Sequence, residues 1–202
     1  MRETRRLMRE TRRLTVAAAI VVLAGLPLAR AEAQGETPVV KTTFLANVFD
    51  PGGAGPRGSA TTLRVRVESL TPQSEAARWT SILRLRGERM LENELAGRDL
   101  GYMQIGNRFP ERLVAAFETN VDGERHLVLI TQRVVGVREI WSSARSADYM
   151  YRMVELTLDA SGHGDGAMYA AARFRVEKDG TLGTRNLGFL PWRVSNLRAV
   201  AS

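Results

Sequence analysis

Alternation of apolar and polar residues is the feature that most constrains how this chain folds. In residues 63–68, Leu63, Val65 and Val67 alternate with charged side chains, which is typical of a strand with one buried face. The same pattern predicts an earlier strand around 44–48. Further strands are predicted at 100–105, 111–119, 125–134, 149–158, 167–177 and 185–199.

A helical spacing interrupts the strands after residue 70. Thr71-Pro72 is a typical helix start, and apolar residues come after it at helical spacing until Gly87. A second short helix is predicted next and ends at Gly97. The segment near 72–96 is therefore predicted to be an inserted helical hairpin.

Turn sequences indicate how the strands are connected. Tight turns are predicted at 120–123, 159–166 and 178–180, and a Pro/Gly-rich loop at 50–59. Consecutive strands joined by tight turns favour an antiparallel meander. We therefore predict an α+β fold, mainly β, whose meander of about eight strands forms a sandwich or a partly closed barrel.

The predicted strand at 167–177 indicates a domain that folds in water. Its apolar face is expected to consist of Met168, Ala170, Ala172, Phe174 and Val176. Its other face carries Arg173 and Arg175, whereas an outer-membrane barrel would turn apolar residues toward lipid. The pattern therefore argues against such a barrel.

Residues 1–33 have the three parts of a secretory signal peptide. An arginine-rich head precedes the apolar residues 15–29, and Ala31-Glu-Ala33 ends the segment. Cleavage is predicted after Ala33, with Ala31 as the second choice. The apolar core is shorter than the roughly 20 residues of a membrane span, which disfavours an uncleaved anchor. The mature protein is expected to be periplasmic or secreted, without a stable membrane span.

The head also contains a repeat, because MRETRRL occurs at 1–7 and again at 8–14. Two such short copies do not make a repeat architecture, so the initiator is either Met1 or Met8. Residues 34–202 are long enough for one globular domain with a core of its own.

Charge and cysteine content exclude several classes of function. The net charge is +7, but residues 1–33 contain seven arginines and three glutamates, which leaves +3 for residues 34–202. No run of five like charges occurs, so nucleic-acid binding is not expected. The chain has no cysteine, which excludes disulfides, thiol catalysis and cysteine-ligated zinc.

Two motifs suggest ligands, but simpler interpretations explain both. The stretch 53–58 matches G-x-G-x-x-G, yet a strand comes after it and not the helix that would hold a pyrophosphate. The oxygen-bearing residues of 159–165 resemble a calcium loop without its closing glutamate, and a plain turn explains them. With only His126 and His163 available, no catalytic residue, metal or cofactor is assigned.

Five residues are the candidates for a binding site. Glu155 lies between Val154 and Leu156 in a strongly apolar strand, and Arg133 on the preceding strand is its expected neighbour. The remaining candidates are Glu139, Asp148 and Tyr149.

Several short motifs succeed one another in a recognisable order. They are Gly101-Tyr102, Thr131-Gln-Arg133, Ser146-Ala-Asp148-Tyr149, Glu155-Leu-Thr-Leu158 and Gly162-His-Gly-Asp-Gly166. This order resembles an uncharacterised family of small exported bacterial proteins. The resemblance covers most of residues 40–200 and implies export, but it brings no activity, substrate or site residue.

Together these features predict an exported binding or structural module of the bacterial cell envelope. An envelope protein or a glycan is the expected partner, and an enzymatic role is disfavoured. Two alternatives remain open. One is a carboxylate-based hydrolase that acts on glycans, and the other is a carrier of a small apolar ligand inside a β-barrel.

Overall fold

A computed structural model describes residues 39–50, 60–133, 148–188 and 190–201. The predicted signal peptide and both cleavage positions lie outside these residues. The described elements are β1 (Val39–Phe49), β2 (Ala60–Ser69), α1 (Gln73–Arg86), α2 (Glu88–Leu95), β3 (Gly101–Ile105), β4 (Glu111–Val121), β5 (Glu124–Gln132), β6 (Tyr151–Leu158), β7 (His163–Val176), β8 (Leu182–Asn186) and β9 (Trp192–Ala201).

Eight of the strands close into an antiparallel barrel. The ring runs from β1 through β2, β3, β4, β5, β6 and β7 to β9, which pairs with β1 again. Strand β8 pairs with β7 outside the ring. The predicted fold, an antiparallel, mainly β domain with a helical hairpin, is confirmed, and of the two predicted forms the chain adopts the barrel.

The interior of the barrel is packed with its own side chains. Alternate residues of each strand point inward, and the large apolar ones among them are almost completely buried. Examples are Phe44, Leu63, Val65, Leu129 and Leu156. Eight strands leave an interior that side chains of this size fill.

A second apolar core lies between the helical hairpin and the outer face of the barrel. Trp79 of α1 is fully buried there, in edge-to-face contact with Phe117 of β4 and Phe174 of β7. Leu91 and Leu95 of α2 complete this core from the helical side. No helix among the described residues is long and apolar enough to cross a membrane.

Strand β7 contributes side chains to both cores, so the prediction that its apolar residues share one face is wrong. Met168 lies in the barrel interior, whereas Ala172 and Phe174 lie in the outer core. The pairing with β6 shifts register between Met153–Tyr169 and Tyr151–Ala172. This irregularity adds a residue and moves later side chains to the opposite face, so the five apolar residues do not share one face.

The predicted strand at 185–199 is also wrong, since the chain forms two strands there. β8 ends at Asn186, whose side chain accepts a hydrogen bond from the Gly188 amide at 2.9 Å. Pro191 has no amide hydrogen to continue a ladder, and β9 begins at Trp192. One long strand was predicted because apolar and polar residues alternate in both β8 and β9, so the alternation does not reveal the break.

The two ends of the barrel differ in their connections. At one end, called the loop end, the chain connects β1 to β2 through 50–59 and β5 to β6 through 133–150. The opposite end, called the turn end, contains the tight turn at Asp122-Gly123 and the hairpin at 159–162, and the β2–β3 connection with its two helices also starts and finishes there. Because connections can present side chains to a partner and the β5–β6 connection contains most of the candidate residues, the loop end is the favoured place for a site.

Candidate binding cleft at the loop end

The β5–β6 connection contains four of the five residues predicted from the sequence. Arg133 begins it, Asp148 and Tyr149 lie near its end, and Glu139 falls outside the described residues. The structure therefore brings Arg133 and Tyr149 together at the loop end, and places Glu155 elsewhere.

Backbone and side-chain hydrogen bonds hold the two ends of this connection side by side. The Arg133 amide donates to the Met150 carbonyl at 3.0 Å, which extends the β5–β6 ladder by one step. The Arg133 guanidinium donates to the Tyr149 carbonyl at 2.9 Å. Arg133 therefore positions Tyr149 at the rim of the barrel.

The ring of Tyr149 lies beside a group of charged side chains. The guanidinium of Arg173, on β7, lies over that ring at 5.2 Å from its centroid. A terminal nitrogen of Arg173 is also 4.0 Å from a carboxylate oxygen of Glu88, the first residue of α2. Together with Asp148 and Glu92, which act electrostatically on Glu88, these residues form what we call the acidic cleft.

The environment of Glu88 shifts the pKa of its carboxyl upward. Burial raises the pKa of this carboxyl above its ordinary value, and the nearby charges of Glu92 and Asp148 raise it further, while Arg173 opposes both. Its Oε1 atom is buried and has no hydrogen-bond partner among the described residues. Burial, together with Glu92 and Glu88, also raises the pKa of neighbouring Tyr151.

The acidic cleft therefore combines groups suited to a polar ligand. Glu88 and exposed Asp148 supply carboxyl groups, and the largely buried ring of Tyr149 supplies an aromatic wall. Carboxylates next to an aromatic ring suit cationic groups and sugar hydroxyls. Perturbed titratable groups of this kind are typical of functional sites.

Glu155 lies apart from the cleft, on the outer face of β6. It stands opposite Val128 of β5 and Ala167 of β7, and it accepts a hydrogen bond from the Tyr169 hydroxyl at 3.2 Å. Burial raises the pKa of Glu155, and the hydrogen bond from Tyr169 opposes that effect. The prediction that Arg133 neighbours Glu155 is wrong. Glu155 lies opposite Val128, and Arg133 comes five residues later, about 16 Å farther along the strand.

One polar cluster at the loop end was not predicted from the sequence. Arg152 of β6 points into the barrel interior and donates to the carboxylate of Glu111, which also accepts a hydrogen bond from Thr131 at 2.9 Å. Arg152 is only 9% exposed, and its Nε atom has no partner among the described residues. The alternation in β6 places Arg152 on the inward face, which could have indicated a buried charge. Its partner Glu111 could not be predicted, because it is 41 residues away in the sequence.

The Gly-rich segment after β6 forms a hairpin. Asp159 accepts hydrogen bonds from the amide and hydroxyl of Ser161, at 2.8 and 2.6 Å, and from the His163 amide at 3.1 Å. These bonds lower the pKa of Asp159. Within the described ranges, no group of three or more histidine, aspartate or glutamate side chains is placed to hold a metal ion.

Comparison with family models, curated proteins and solved structures gave no match. The resemblance to a family of exported bacterial proteins stays a prediction. The geometry of the acidic cleft is therefore the observation that bears most directly on function.

Proposed function

We propose that this protein is an exported binding module of the bacterial cell envelope, and that its partner binds at the acidic cleft. The packed barrel supports this role because it supplies a rigid scaffold whose interior positions are already occupied. The cleft lies on the outside of that scaffold, between α2 and the end of the β5–β6 connection.

The observation that carries the proposal is the unsatisfied carboxyl of Glu88 beside Tyr149, Asp148 and Arg173. The Oε1 atom itself is enclosed, but the Glu88 side chain is 32% exposed, so a donor of the partner can reach its exposed part. A basic segment of an envelope protein or a hydroxyl-rich glycan would supply such donors.

Calorimetric titration of the exported protein tests this proposal. The titrants are soluble fragments of cell-wall glycan and a lysine-rich peptide. Asp148→Asn and Tyr149→Ala should each weaken binding about tenfold, the effect of losing about 1.4 kcal/mol of contact. Asp122→Asn is the matched control, because it removes one carboxylate from an exposed turn at the turn end.

The titration has two outcomes that would reject the cleft. One is the absence of binding by either titrant. The other is binding that Asp148→Asn leaves unchanged, or that Asp122→Asn weakens equally. Circular dichroism of each variant shows whether the fold is retained.

A carboxylate-based hydrolase is the second candidate, and the same cleft favours it. Glu88, with its raised pKa, suits a proton donor, and Asp148 is close enough to act on it electrostatically. Release of reducing ends from cell-wall glycan would reveal such activity, and Glu88→Gln should abolish it. An apolar-ligand carrier has no comparable support, because the barrel's own side chains fill the described interior.

A further inference from the structure

The helical hairpin ends in a tip that neither core covers. Its residues Arg84, Leu85, Arg86, Arg89 and Met90 are all exposed, and we call them the basic tip. Leu85 is 80% exposed and Met90 42% exposed. Gly87 alone joins the two helices, with a φ of +82° that favours glycine, and the pairing of Arg78 with Glu94 shows that α2 runs back along α1.

The arginines of the tip are not neutralised by the rest of the described chain. Arg84, Arg86 and Arg89 form no hydrogen bond or ion pair with any other described residue. In contrast, Arg78 of α1 pairs with Glu94 of α2 at 2.5 Å. Glu88, the acidic residue between Arg86 and Arg89, lies beside Arg173.

The β7–β8 hairpin lies beside the basic tip and adds no net charge to it. The guanidinium of Arg84 lies close to Gly180, so that a Cβ at this glycine would be 3.2 Å from it. Lys178 of this hairpin is exposed. Exposed Asp179 of the same hairpin carries the opposite charge, and the hydrogen bonds it accepts from the amide and hydroxyl of Thr181, at 3.0 and 2.7 Å, lower its pKa. The positive charge around Leu85 therefore comes from the three arginines of the tip itself.

We infer that the basic tip binds the surface of a membrane that contains anionic phospholipids. Basic residues around exposed apolar side chains are the pattern of interfacial membrane binding, in which the apolar groups enter the acyl boundary and the cations meet phosphate. A convex tip with two apolar side chains needs no shaped pocket in its partner, which favours a lipid surface over an acidic protein. This inference uses residues other than those of the acidic cleft, although Glu88 of the cleft lies between Arg86 and Arg89 in the sequence.

Co-sedimentation of the full exported protein with lipid vesicles tests the inference. One set of vesicles contains equal parts of phosphatidylglycerol and phosphatidylcholine, and the other contains phosphatidylcholine alone. Binding is expected only to the anionic set and should weaken as salt is added. The triple substitution Arg84→Gln, Arg86→Gln and Arg89→Gln should reduce the affinity about 100-fold, since each basic residue near an anionic surface contributes about 1 kcal/mol.

Matched controls separate the tip from charge in general. Replacing the exposed Arg64, Arg112 and Arg193 by glutamine removes the same charge from the barrel surface and should leave most of the binding. Leu85→Ser should weaken binding, whereas Leu190→Ser, at another exposed leucine, should not. Equal binding to both vesicle types, equal losses in the two triple variants, or no vesicle binding would each overturn the inference.

Discussion

Arg152 and Glu111 form an ion pair inside the loop end of the barrel, next to a mainly apolar core. Their side chains are 11% and 18% exposed, so water screens the pair little. The Thr131 hydroxyl donates a hydrogen bond to the second carboxylate oxygen of Glu111. At the turn end, Arg125 and Glu118 form a second inward-facing pair at 2.9 Å. An ion pair therefore lies at each end of the barrel.

Removing one partner of the Arg152–Glu111 pair should destabilise the fold strongly. Glu111→Ala would leave a buried guanidinium without its counter-charge, and we expect a loss of about 3 kcal/mol in the free energy of unfolding. The double substitution Glu111→Leu with Arg152→Met should recover most of that loss, because no charge then stays buried. Urea denaturation of the three proteins measures both effects, and a Glu111→Ala variant of wild-type stability would contradict the prediction.

Trp79 is expected to be the most important single side chain of the outer core. It packs against Phe117 and Phe174, and its replacement by alanine should cost about 3–5 kcal/mol through lost burial and a cavity. Its indole nitrogen has no hydrogen-bond partner among the described residues, so Trp79→Phe should cost much less. Thermal denaturation compares both with Leu85→Ala, which should be near neutral because Leu85 is exposed.

The close approach of β6 and β7 requires glycine at position 164. A Cβ there would lie 1.8 Å from the Thr157 carbonyl oxygen, which is backbone and cannot move aside. We expect Gly164→Ala to cost about 3 kcal/mol or more, or to prevent folding. Gly97→Ala is the control, since nothing lies within 4 Å of its added Cβ. Equal stability of the two variants would refute this interpretation of the strand pairing.

Glu155 should make stability depend on pH. Its folded-state pKa is raised by burial, so the folded protein binds this proton more tightly than the unfolded chain does. The contribution is fully present below the ordinary glutamate pKa and is lost as pH rises through the raised value. Glu155→Gln should therefore be more stable than the wild type at neutral pH, and the difference should disappear in acid.

Urea denaturation across this pH range measures the effect, with exposed Glu124→Gln as the control. Tyr169→Phe removes the hydrogen bond to the carboxylate and should cost about 1 kcal/mol at neutral pH. A stability difference between Glu155→Gln and the wild type that does not change with pH would contradict the assignment.

The acidic cleft predicts a coupling between two carboxyl groups. Asp148→Asn removes one of the charges that raise the pKa of Glu88, so that pKa should fall toward the ordinary glutamate value. Arg173→Gln removes an opposing positive charge and should raise it further. NMR titration of the Glu88 side chain measures both changes. An unchanged Glu88 pKa in Asp148→Asn would show that the two groups are not coupled.

Local patterns in the sequence predicted much of the fold. The helical hairpin was predictable because Thr71-Pro72 and Gly97 mark its boundaries and Gly87 marks the junction of its helices, and most strands were predictable because their alternation is regular. The register shift in β7 was not predictable, because it depends on how Tyr169 and Ala172 pair with β6. Closure of the barrel likewise depends on pairing between β1 and β9, which no local pattern encodes.

The candidate site was predictable only in part. Arg133, Asp148 and Tyr149 were identified as residue types suited to binding, and their position in one connection brought them together. Glu88 and Arg173 were missed because they approach that connection from α2 and β7, which are distant in the sequence.

The pairing of β1 with β9 has a consequence for how this protein folds. These strands are separated by about 150 residues, so the ring closes through a contact of very high sequence separation, which slows folding. Until β9 arrives, β1 and β7 each keep an unpaired edge that invites aggregation. A chain made or translocated from its N-terminus would complete its barrel last of all, which makes chaperone protection of the nascent chain most valuable just before β9 emerges.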